Sequence, residues 1–99
     1  MFKNRMRPVH PGEVLREDYL VPLGMSASAL ARALSIPPQQ INDIVRERRR
    51  VTADLALRLA RYFGGDARSW LNLQTAYDLR LAEMKNAERV KREVTPAAA

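Results

Sequence analysis

SASALARALSIPPQQINDIVRERRRVT, residues 26–52, is the stretch from which the rest of the chain is read. Leu30, Ala31 and Leu34 fall at i, i+1 and i+4, the apolar face of a 3.6-period helix, and Ser26 stands where an N-cap belongs. Pro37 and Pro38 open a second helix at positions where a missing N–H costs little. Ile41, Ile44 and Val45 give that helix its packing face. Gln39, Gln40, Asn42, Asp43 and Arg46 occupy the remaining surface, followed by a basic run, RERRR, over 46–50. Amides pair bidentately with adenine edges and guanidinium with guanine edges, so this outer face suits the major groove of DNA.

Counted from Ala27, the residues also fit the helix-turn-helix pattern. The fifth position is Ala31, small enough for two helices to cross closely. The fifteenth and eighteenth are Ile41 and Ile44, the buried anchors of the second helix. The ninth, where the motif usually carries glycine, is Ser35. A helical hairpin of this kind also serves as the bare core of an all-helical domain with a solvated polar face. The arginine run favours the DNA reading, because phosphate contacts supply much of the affinity in such complexes.

Ninety-nine residues suffice for one domain with a modest core. The net charge of +6 and pI near 10.5 point to a polyanionic partner, nucleic acid before membrane. No apolar run reaches bilayer length and no N-terminal signal segment is visible, so a cytoplasmic location is expected. With no cysteine and one histidine, neither a disulfide framework nor a zinc site is expected, and no cofactor is implied.

Residues 1–9 read as a basic arm carrying Lys3, Arg5 and Arg7. His10-Pro11-Gly12-Glu13 starts the first helix, with Val14, Leu15 and Tyr19 on its apolar side and His10 as a boundary residue. VPLGM, residues 21–25, is expected to be a loop, broken by Pro22 and Gly24. Beyond the helix-turn-helix, Thr52 caps a helix bearing Leu55, Ala56, Leu59, Ala60 and Phe63, stopped by Gly64 and Gly65. Asp66 then caps a long helix from about residue 67 to about residue 90. Trp70, Leu73, Tyr77, Leu81 and Met84 lie along one side of it, and Leu71, Leu79 and Ala82 widen the apolar surface. Such girth predicts two buried faces, one on its own domain and one on a second subunit or another protein, with Trp70, Leu73, Tyr77 and Leu81 as the dimer surface. Residues 10–93 then form the domain, and 94–99 a frayed tail.

These blocks resemble the HigA/VapI family of XRE-type antitoxins. HPGEVLREDYLVPLGMS is similar to that family's first helix and loop, ALARALSI to its second helix, VTADLALRLARYFG to its fourth and DARSWLNLQTAYDL to its fifth. Two positions depart from the family pattern: Pro37 replaces the usual serine, and Arg46-Glu47 replaces an asparagine-glycine pair. The resemblance implies an all-α, five-helix, lambda-repressor-like domain with a long C-terminal helix. It also implies an antitoxin that binds a HigB-type toxin and, as a homodimer, represses its own operon. Carried over by position are Gln39, Gln40, Asn42, Asp43 and Arg46 for base edges, and Ser26, Ser28, Arg48 and Arg49 for phosphate. The target is double-stranded operator DNA with an inverted repeat, whose half-sites lie about one helical turn apart.

Two other non-enzymatic readings compete: a stand-alone XRE-type regulator, and a protein-interaction module without sequence-specific DNA binding. An enzyme is disfavoured, because the acidic residues are scattered singly among cations; Glu17 and Asp18, being adjacent, face different ways.

Overall fold

The computed structural model describes residues 7–98. Lys3 and Arg5 of the expected arm, and Ala99 of the expected tail, lie outside them. Among the described residues there are five helices and no strand. Helix α1 runs through three contiguous segments, Pro11–Val14, Leu15–Leu20 and Val21–Leu23; α2 spans Ala27–Leu34, α3 Pro38–Val45, α4 Ala53–Phe63 and α5 Ala67–Glu93.

The first helix corrects one expectation: VPL is its last turn, not part of a loop. The middle segment, Leu15–Leu20, is a π-helix. There the Val21 N–H reaches back five residues to the Arg16 carbonyl. A proline in an α-helix clashes with the carbonyl four residues before it. The wider π-turn ahead of Pro22 is where the chain takes up that conflict. Helix α1 ends at Gly24, which adopts φ 60°. Gly24 donates to Val21 O (3.1 Å) and Met25 to Leu20 O (2.9 Å), the two bonds of a Schellman motif.

The N-caps read from the sequence are present. Ser26, Thr52 and Asp66 accept from the backbone N–H three residues on, at 3.0, 3.3 and 2.8 Å. The Ser69 N–H and hydroxyl hold the Asp66 carboxyl below its ordinary range. Leu15, Leu30, Ala31, Ile41, Ile44, Leu55, Ala56 and Leu59 are fully buried, and Trp70 joins them. Ala31, Ile41 and Ile44 are thus the crossing and anchor residues that their spacing predicts.

The chain closes tightly at three places. Gly12 faces the end of α3: a Cβ built on it would lie 1.8 Å from the Ile44 carbonyl oxygen. His10 is buried, accepts the Gly12 N–H on Nδ1 at 2.8 Å and meets Tyr77 edge-on at 4.8 Å. The boundary histidine is therefore the side-chain cap of α1. Gln74, equally buried, accepts the Val51 N–H at 2.7 Å and so fixes the segment between α3 and α4 to α5.

Candidate nucleic-acid interface

Helix α3 presents its polar face because its two isoleucines are fully buried on the other side. Pro37, at φ −62° and ψ 139°, is the N-cap and provides no side-chain hydrogen bond, and Pro38 is the first helical residue. The proline ring presets the first turn but supplies no side-chain acceptor for the N–H that a capping serine would satisfy.

Gln39 is exposed, and Gln40, Asn42 and Asp43 are half-buried. Asn42 donates through Nδ2 to the Pro38 carbonyl at 3.2 Å, so part of its amide is engaged by its own helix. Asp43 joins two partners: Gln39 Nε2 donates to Oδ1 at 2.9 Å and Arg49 donates to Oδ2 at 3.3 Å. A carboxylate facing phosphate is repelled unless it has such partners, and here a guanidinium supplies the compensating charge. Arg46, Arg48 and Arg49 are exposed beyond the helix. Arg50 points elsewhere and pairs with Asp78 of α5 at 2.9 Å. Ser26 spends an oxygen lone pair on its cap and keeps its O–H as a donor, and Ser28 is the second residue of the same helix, partly exposed.

The turn and the helix end are both built without glycine. Ser35 (φ 59°) and Glu47 (φ 63°) take left-handed conformations. Ser35 donates to Arg32 O (3.1 Å) and Ile36 to Ala31 O (3.0 Å). Glu47 donates to Ile44 O (2.9 Å) and Arg48 to Asp43 O (2.8 Å). Each is a Schellman closure with the expected glycine position filled by another residue. Glu47 replaces the family's glycine in position as well as in conformation.

Two arginines that sequence reasoning passed over hold this unit. Arg16 of α1 donates to the Val45 carbonyl at the end of α3 and pairs with Glu47 at 3.7 Å. Arg58 of α4 donates to the Leu34 carbonyl at the end of α2 at 2.8 Å, and to Asp54 at 2.8 Å. Both cations sit at the negative ends of helix dipoles and satisfy orphan carbonyls. The Asp54–Arg58 spacing is readable as an i,i+4 pair, whereas contacts 24 and 29 residues apart leave no local trace. Arg7, placed in the basic arm from the sequence, makes a double hydrogen bond to Glu13 at 2.9 Å, which holds the Glu13 carboxyl below its ordinary range.

On α5 the expected surface divides. Trp70 is 5 % exposed and stacks near Tyr19 at 5.3 Å, so it belongs to the core of its own chain and offers little to another. Leu73, Tyr77 and Leu81 are partly exposed. The most open apolar residues of the helix are Leu79, Met84 and Val90. Leu79, Ala82, Asn86 and Val90, spaced by three, four and four, line a shallow apolar groove on the far half of α5. Among the described residues no group of side chains could hold a metal ion, and no helix is long and apolar enough to cross a membrane.

A helix-turn-helix family model matches residues 15–70, which include the whole of α2 and α3 with Arg16 and Arg58. The chain is 68% identical over 81 residues to virulence-associated protein I of Dichelobacter nodosus, covering 82% of this chain and 75% of the relative. It is similar to the Pseudomonas aeruginosa antitoxin HigA solved with the higBA promoter, at 46% identity and TM-score 0.89, over 92% of this chain and 99% of the other. Antitoxin GraA in complex with its operator matches at 47% identity and TM-score 0.89, over 94% of each chain. Its relatives are antitoxins and helix-turn-helix regulators, a non-enzymatic group. With this motif, this fold and these relatives, the chain belongs to the HigA/VapI family of helix-turn-helix antitoxins.

Proposed function

We propose that this protein is the antitoxin of a cytoplasmic toxin-antitoxin pair, a homodimer that binds operator DNA to repress its own operon and neutralises a HigB-type toxin. The observation that carries the reading is α3 itself. Its isoleucines are buried, its amides face outward, and Arg46, Arg48 and Arg49 are exposed at its end. Gln39, Gln40, Asn42 and Arg46 offer the donors and acceptors of the base-reading side, and Asp43 lies among them. Ser26 and Ser28 at the start of α2, with Arg48 and Arg49, are the phosphate contacts that set the register. The promoter and operator complexes of HigA and GraA support the same use of this chain. Self-association runs along α5, through Leu73, Tyr77 and Leu81 and the open residues beyond them. The toxin enters through the family and through the surplus apolar surface of the chain.

Titration of the purified protein with its own upstream DNA, against a scrambled duplex at two salt concentrations, tests the DNA half. Preferential binding that persists at the higher salt and is lost in Gln39→Ala with Gln40→Ala is the expected result. Equal binding to both duplexes that fades with salt sinks it, because that is the signature of charge alone.

A further inference from the structure

The geometry points to Asp43 as a positioning residue that commits the Gln39 amide to adenine. This inference rests on the DNA-reading function proposed above and says how one element of it achieves selectivity.

An ionised carboxylate only accepts hydrogen bonds. The Gln39 group that lies 2.9 Å from Asp43 Oδ1 must therefore be the amide nitrogen, whichever way the amide is drawn. One of the two N–H groups is thereby spent, and the direction of the amide is settled before DNA arrives. What remains is one carbonyl oxygen and one N–H. Adenine offers N7 as an acceptor and N6–H as a donor in the major groove, the complement of that pair. Guanine offers two acceptors, N7 and O6, and the Gln39 oxygen would then face a second oxygen. The other carboxylate oxygen accepts from Arg49, 47% exposed in its side chain, which offsets the negative charge near phosphate and leaves further guanidinium N–H groups open. Asp43 itself is drawn in, with a side chain only 20% exposed. It orders its neighbours and reads no base.

Asparagine at this position keeps the shape and loses the constraint, because its amide can accept or donate and so holds Gln39 in either sense. The experiment scans the upstream duplex one base pair at a time, replacing each A·T by G·C and each C·G by T·A, with wild type, Gln39→Ala, Asp43→Asn and Arg49→Ala. Wild type is expected to show an A·T pair whose replacement weakens binding by about 5- to 150-fold, the range of one good bidentate contact. At that same pair the ratio falls to near unity in Gln39→Ala and in Asp43→Asn. Asp43→Asn also binds scrambled DNA more tightly than wild type, since a negative charge has left the interface. Arg49→Ala weakens binding to every duplex alike and keeps the ratio. The base-pair preference is a ratio of affinities from one sample, so a partly unfolded variant gives the same ratio; the comparisons of absolute affinity between proteins use the active concentration of each.

Asp43→Asn with the full adenine preference overturns the inference, and so does a loss that appears at a C·G pair, which would make Asp43 a base contact. A wild type that distinguishes no base pair overturns the DNA-reading function as well, and is told apart by the parent protein alone.

Discussion

Ser35 and Glu47 each hold a left-handed backbone that costs a residue with a Cβ about 1–2 kcal/mol, of which glycine gives back part through its freer unfolded state. Ser35→Gly is therefore expected to raise stability by about 0.5 kcal/mol, read as a higher urea midpoint with an unchanged slope. A lower midpoint would show that the serine is held by more than its backbone. Gly12 behaves oppositely. Gly12→Ala drives a methyl into the Ile44 carbonyl, where backbone and not a flexible side chain must move. A loss of about 1–3 kcal/mol is expected, together with weaker operator binding, since the displaced group belongs to α3. His10 adds a pH dependence. Burial holds its imidazole below the ordinary value of 6.5, so the unfolded chain takes up the proton more readily. Stability is then constant above about pH 6.5 and declines as the pH falls below it. Melting temperatures for wild type and His10→Gln across pH 5 to 8 check this, the variant losing that part of the slope which the histidine contributes.

At the scale of elements, what was legible followed from locality. Ser26, Thr52 and Asp66 bond to an N–H three residues away, and the isoleucine spacing of α3 marks its buried side, so caps and core face could be read directly. The outer face of α3 was readable as composition, and Gln39 and Asp43 stand at the i,i+4 spacing of a helical pair. That Arg49 joins them depends on the turn made at Glu47, where a glycine was expected. Helix α1 misled for a related reason: Pro22 and Gly24 look like breakers, and only the π-segment shows how the first of them is accommodated. Gln74 is a polar residue on an otherwise mixed helix, with nothing nearby in sequence to announce Val51 as its partner. Gln74→Ala strands a buried N–H and is expected to cost about 1–3 kcal/mol by chemical denaturation. Gln74→Glu keeps the acceptor for Val51 but sets a second carboxylate against Asp78, which accepts from Gln74 Nε2 at 2.9 Å, so it should recover little of that loss.

At the scale of the molecule, the chain measures 53 × 26 × 24 Å, and α5 alone, with 27 residues, is about 40 Å long. The helix therefore runs beyond the four that pack against one another, and its far half carries Leu79, Met84 and Val90 in the open. Replacing Leu79 and Val90 together by glutamate is expected to leave the melting temperature nearly unchanged, because neither side chain belongs to the core. Sedimentation should then report a monomer, and affinity for an inverted repeat should fall to that for a single half-site. A variant that remains dimeric would move the contact to the side of Leu73, Tyr77 and Leu81. The connection between α3 and α4 is fastened to this same helix twice, by Gln74 to Val51 and by Asp78 to Arg50. In a dimer joined along α5, the helix acts as a strut with the reading heads bolted near its base. The distance between the two reading helices is then governed by one helix, and a protein that tilts it changes the half-site spacing that the dimer fits without touching DNA.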